Sequence, residues 1–176
     1  MVQADLFIAG QDSALSNAED GHYRVSVTHY SADEVIRQFL RLYNSLDFKT
    51  ELADIGVPRW QFLRRKRATQ ELRAITIALW GLALQKSFPN DAGDFFAAFR
   101  EKAPILAEGV KETVRLHEKV NAYIVLLSPK KDTDFSPVAD HLAKLLALQA
   151  EDVARLRLKL SLIIRNLYVL IFDKLV

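Results

Sequence analysis

Cysteine is absent from this 176-residue sequence, while glycine occurs six times and proline five. Without cysteine there is no disulfide framework, thiolate zinc site, iron–sulfur cluster or cysteine nucleophile. Six glycines and five prolines exclude the collagen-like and low-complexity classes. Net charge is also small: 24 Lys+Arg against 22 Asp+Glu leaves +2, and half the residues are hydrophobic. That balance excludes disorder as the main state. No run is long enough to span a membrane. The most apolar stretch, Leu160–Phe172, is thirteen residues long and contains Arg165, whereas a spanning helix needs ~20 apolar residues. At the N-terminus, Asp5 precedes a short apolar run and no basic region comes before it, the reverse of a secretory signal. The expectation is a cytoplasmic chain with no membrane partner.

Sites for chemistry are equally scarce. No GxxxxGK[ST] or GxGxxG phosphate cradle, no GxSxG elbow and no HExxH pair occurs. The four histidines are His22, His29, His117 and His141. A di-iron site needs Glu-x-x-His on paired helices. The one such spacing, Glu19–His22, falls in a glycine-containing turn. The carboxylate pairs Asp132/Asp134 and Glu151/Asp152 lie in a polar loop and on an amphipathic helix. There, Asp140–Lys144 and Glu151–Arg155 have the i,i+4 spacing of surface ion pairs. No catalytic residue, metal ligand or cofactor is expected.

What the chain does hold is helical periodicity. Residues 1–30 read as an N-terminal extension. In it Tyr23, Val25, Val27 and His29 alternate with polar residues, as in a short strand that Asp5–Ala9 would pair as a hairpin. Residues 31–176 read as a single helical domain. Ser31-Ala-Asp-Glu34 has the form of a capping box, and Val35, Ile36, Phe39, Leu40, Tyr43 and Leu46 then form an apolar stripe. A turn of helix ended by Gly56 follows. Pro58 is expected to open a second helix running to about Lys86. A short helix over 92–102 comes next, then a third long one from Pro104 to Leu127. Ser136-Pro137 reads as an N-cap and first turn. Beyond it a 3–4 rhythm through Leu142, Leu156, Leu160, Ile163, Leu167 and Leu170 continues almost to the C-terminus without Gly or Pro. The fold expected is mainly α, a bundle of four to five helices with a long C-terminal helix.

Two features bear on assembly. A helix from Pro137 to Lys174 would be ~57 Å long, against a diameter of roughly 40 Å for a compact domain of this size. It must therefore bend near Gln149–Asp152 or project toward another chain. Ala74–Gln85 carries no charge and Leu160–Phe172 carries one, and helices apolar nearly all round are surrounded by protein. Gly81 would let a partner helix come close. These features predict a homodimer, with Leu160, Ile163, Leu167 and Leu170 as its interface, over a monomer with one central helix.

The densest charge lies between residues 59 and 73, with six cations and one acid, Glu71. At 100° per residue, Ala68, Leu72 and Ile75 share the core face. Arg59, Lys66 and Arg73 line up opposite with Gln70 close by, Arg64 and Arg65 flank the core face and snorkel, and Phe62 supplies an adjacent aromatic. Such a line suits a polyanion, so Arg59, Lys66, Gln70 and Arg73 are the candidate site for an acidic protein partner or nucleic acid, against the plainer reading that the basic run is a solvated face or pairs within the same fold. Residues 50–63 (TELADIGVPRWQFL) resemble a helix-turn-helix of the repressor kind. The resemblance puts Leu52-Ala53 in the first helix, Gly56 in the turn and Arg59–Lys66 on a recognition helix, although the turn glycine follows Ala53 by three positions rather than four. The function expected is a non-enzymatic assembly or adaptor protein acting through protein–protein contacts. The alternative is a nucleic-acid-binding regulator using the basic helix.

Overall fold

A computed structural model describes residues 30–102, 109–127, 134–147 and 153–175. Among these it is mainly helical, with no strand and seven helices: α1 (Ala32–Ser45), α2 (Lys49–Asp54), α3 (Phe62–Ser87), α4 (Ala92–Lys102), α5 (Val110–Leu126), α6 (Ser136–Leu145) and α7 (Val153–Leu175). The N-terminal strand and hairpin expected before residue 30, and the helix start expected at Pro104, lie outside the described residues.

Local sequence accounts for several boundaries. At α1 the capping box forms in both directions: the Glu34 amide donates to Ser31 Oγ at 3.3 Å, and the Ser31 amide donates to Glu34 Oε2 at 3.2 Å. Gly56, at φ 78°, carries the chain out of α2 through a left-handed conformation that a side chain would strain. Pro58 does not open α3. Its carbonyl accepts from the Gln61 amide at 3.1 Å in a turn, and the helix starts at Phe62. At α6 the Asp134 carboxylate, rather than Ser136, accepts the first-turn amide at 3.1 Å.

The expected long C-terminal helix is two helices, divided between Leu145 and Val153, which bears on the first of the two alternatives, a bend near Gln149–Asp152. α6 ends at Leu145, and Ala147 takes a positive φ of 46°. The cause lies far away in sequence. The Arg64 guanidinium donates to the carbonyl oxygens of Leu146 and Ala147, each at 2.8 Å, satisfying groups that a continuing helix would need. A cation there also complements the negative end of the α6 dipole. α7 then runs back along α6. Arg157 grips Asp140 with two hydrogen bonds, one of 2.6 Å, and Phe135 meets Tyr168 at 5.7 Å between ring centroids. Folded this way α7 is ~35 Å long, a length that the body of the chain accommodates. With α2 counted, the split raises the number of helices above the four to five expected.

α3 is the central element and packs against α1, α2, α4, α5 and α7. Every residue from Ala74 to Trp80 is buried, so the charge-free stretch is surrounded by the chain's own helices. Around Trp80 the Phe39 ring stacks at 4.3 Å, and Phe99 meets both rings edge-on. Gly81 accommodates the Phe96 ring of α4, which a Cβ would meet at 3.0 Å. The close approach at this glycine is intramolecular.

Candidate functional site

The surface that stands out is built where the chain leaves α2. Val57 is buried and its amide donates to the Leu52 carbonyl at 2.8 Å, which anchors the start of the turn. From Pro58 the turn lifts off the core. On α3, 100° per residue puts Leu63 opposite Ala68, Leu72 and Ile75 and Phe62 to the side of that face, in the first turn before the core contacts begin. Trp60 is consequently 72% exposed, Phe62 78% and Leu63 86%. Isolated exposed apolar residues are ordinary, but adjacent large ones mark interaction surfaces.

The six cations of residues 59–73 divide into two sets. Arg64 and Arg65 are half-buried and bonded to the chain's own carbonyls. Besides its bonds to Leu146 and Ala147, Arg64 donates to Gln61 Oε1 at 3.2 Å, and Arg65 donates to the Val57 carbonyl at 3.1 Å. Arg73 lies over the Tyr43 ring, 5.6 Å from its centroid, a cation–π contact. Arg59, Lys66 and Arg67 are exposed and have no carboxylate partner among the described residues. Gln70 is exposed beside them. The structure thus keeps Lys66, Gln70 and Arg73 on one helix face but places Arg59 in the preceding turn, ahead of any recognition helix. Leu52 and Ala53 lie in α2 and Gly56 in a turn, as the helix-turn-helix resemblance implies.

The four residues expected to pair chains through the last helix are placed differently from one another. Leu160 and Leu167 are buried in the chain's own core, Ile163 packs against it, and only Leu170 is exposed. The outward apolar row of α7 is instead Leu158, Leu162 and Val169, with Arg165 between the last two. Lys159 fixes this end of α7 by donating to the Asp54 carbonyl at 2.9 Å.

One buried polar cluster joins α3, α5 and α6. Glu71 is only 3% exposed. Its Oε1 accepts from Lys119 Nζ at 2.6 Å and its Oε2 from the Tyr123 hydroxyl at 2.8 Å. The His141 ring meets Tyr123 edge-on at 5.6 Å. Burial raises the Tyr123 phenol well above its ordinary pKa, and the charge of Glu71 and the hydrogen bond to it add to the effect. His117 is pushed down, first by burial and then by Arg100, and its Nε2 has no hydrogen-bond partner among the described residues. Glu71, with a donor on each oxygen, is a satisfied structural carboxylate that sets the register of α3 against α5. Sequence reasoning counted it as one acid in a basic run, although it sits one position before Leu72 at the margin of the core face. Among the described residues no three metal-ligating side chains gather, and no helix is long and apolar enough to cross a membrane. No family model, curated protein or solved structure matches this chain.

Proposed function

We propose that the chain is a non-enzymatic helical adaptor acting through protein–protein contacts, the first of them with a second copy of itself. The observation that carries this reading is the α7 row of Leu158, Leu162 and Val169, exposed on a helix whose opposite face is already filled by core. With Arg165, the row has spacings of four, three and four residues, which is the seam of a helix pair. In such a pair Arg165 would lay its stem across the seam with its charge in water, and one polar seam position favours a single register at some cost in stability. Two-fold dimers are the commonest closed assemblies. The absence of a phosphate loop, a nucleophile elbow and a zinc-binding helix pair from the sequence supports the non-enzymatic part.

Sedimentation equilibrium tests the reading. The expected mass is twice the 20.0 kDa of one chain, reduced to a single chain by Leu158→Glu with Leu162→Glu and with helical content unchanged. A monomeric unsubstituted protein at high concentration contradicts it.

A nucleic-acid regulator is the second reading, favoured by the uncompensated exposure of Arg59, Lys66 and Arg67. It predicts that neutralising Arg59, Lys66 and Arg73 weakens binding equally across sequences and lowers the log–log salt slope by about three. Weighing against it, Arg64 and Arg65 bond to carbonyls of the chain itself, and Arg73 rests on Tyr43.

A further inference from the structure

We propose that the turn and first helical turn made by residues 59–67 are a docking tip for an anionic lipid surface, with Trp60, Phe62 and Leu63 entering the headgroup layer and Arg59, Lys66 and Arg67 meeting lipid phosphates. This site is separate from the α7 row, so either stands without the other.

The argument begins with shape. Side chains that are 72 to 86% exposed protrude from the surface rather than line a groove. Three large protruding apolar groups need a partner that yields to them. A bilayer interface does so without a matching pocket, and an amphipathic element sits roughly 5–10 Å into it. Composition agrees. Trp is enriched at the headgroup level because its ring is apolar and its N–H is polar. Phe62 and Leu63 fill the level below.

Charge agrees as well. The three outward cations lie within seven positions of Trp60, and no carboxylate occurs between residues 59 and 70. Basic residues at an anionic leaflet each strengthen binding by about fivefold. Nucleic acid fits the same surface less well, because Phe62 and Leu63 interrupt the basic line between Arg59 and Lys66, and Leu63 has no role against phosphate. An acidic protein would match the charge but needs cavities for three bulky side chains.

The tip is also held ready. Arg64 ties the first turn of α3 to the end of α6, and Arg65 ties it to Val57 at the base of the turn. The two arginines bonded to the chain's own carbonyls hold the first turn from which the outward cations project. A rigid tip loses little conformational freedom on docking.

Vesicle co-sedimentation of the full chain tests this, using phosphatidylcholine vesicles with and without one-third phosphatidylglycerol. Two variants are compared: Arg59→Gln/Lys66→Gln/Arg67→Gln, and Trp60→Ser/Phe62→Ser/Leu63→Ser. All six positions are exposed, and the emission of buried Trp80 reports that each variant stays folded. The expected result is binding to the anionic vesicles alone, weakened about 100-fold by the first variant and lost as clearly in the second. No binding at low salt overturns the proposal. So does binding to the anionic vesicles that the apolar variant retains, since that describes a surface that reads charge alone.

Discussion

Arg64 Nη2 lies 2.8 Å from the carbonyl oxygen of Leu146, across 82 positions of sequence. This bond and its companion to Ala147 meet the carbonyls at the end of α6 and tie them to the root of the exposed tip. An arginine in the middle of a basic run therefore acts as a structural residue.

Replacing Arg64 with Ala should lower stability by about 1.5–3 kcal/mol, the usual range for hydrogen bonds to a charged group. Lys should recover only part of it, since one ammonium cannot match a planar fork set against two carbonyls. Denaturation with urea gives the comparison. A change within about 0.5 kcal/mol, as for an ordinary surface position, would show that α6 ends for another reason.

The Glu71 cluster predicts a larger loss. Glu71→Ala leaves Lys119 and Tyr123 without their acceptor and should cost about 3 kcal/mol, near the lower end for a broken buried pair because Lys119 is partly solvated. Tyr123→Phe should cost about 1–2 kcal/mol. The double variant should fall short of the sum, because both changes remove one shared hydrogen bond. Additive losses would mean that the two residues act separately.

The same cluster sets a dependence on pH. Folding raises the Tyr123 pKa, burial being the main cause. Above the ordinary tyrosine range the unfolded phenol ionises while the folded one keeps its proton. The folded state then binds more protons, so stability falls as pH rises beyond about 10. Absorbance titration near 295 nm should show Tyr123 ionising only as the chain unfolds, and Tyr123→Phe should flatten the alkaline loss. A Tyr123 that titrates normally in folded protein contradicts this.

Two leucines two positions apart on α7 separate core from outward face. Leu160→Ala should cost about 2–5 kcal/mol, as a cavity in a packed core does. Leu158→Ala should leave folding within about 0.5 kcal/mol and weaken association instead. Equal losses at the two positions would place the outward row elsewhere on the helix.

What the sequence made legible was local or periodic. The capping box at Ser31 and Glu34, the stripe of α1, the turn at Gly56 and the charge-free stretch that became the centre of α3 could all be read from neighbours. Length alone called for a bend near Gln149–Asp152 or a projection, and the break between Leu145 and Val153 answers to the first. The bonds that Arg64 makes to the end of α6 could not be read, because residues 136–147 carry no stop signal and the partner lies 82 positions away. Likewise the basic run announced charge but not its division, since which cations reach carbonyls depends on Leu146, Ala147 and Val57. The interface expected at Leu160, Ile163, Leu167 and Leu170 followed the strongest apolar rhythm, of which Leu160 and Leu167 face the chain's own core and Leu170 faces outward. The wheel that gathers Ala68, Leu72 and Ile75 sets Leu63 opposite them, and Phe62 beside the basic line, so this part of the tip was legible.

The measurement that bears most directly on the docking tip is tryptophan emission, because the chain has two tryptophans in opposite settings. Trp80 is wholly buried and Trp60 faces water. Subtracting the spectrum of a Trp60→Phe variant isolates Trp60. With vesicles containing one-third phosphatidylglycerol, that component should shift to the blue and lose its quenching by acrylamide, while the variant's own emission stays unchanged. Trp60 emission that stays red and fully quenchable on those vesicles would contradict the account.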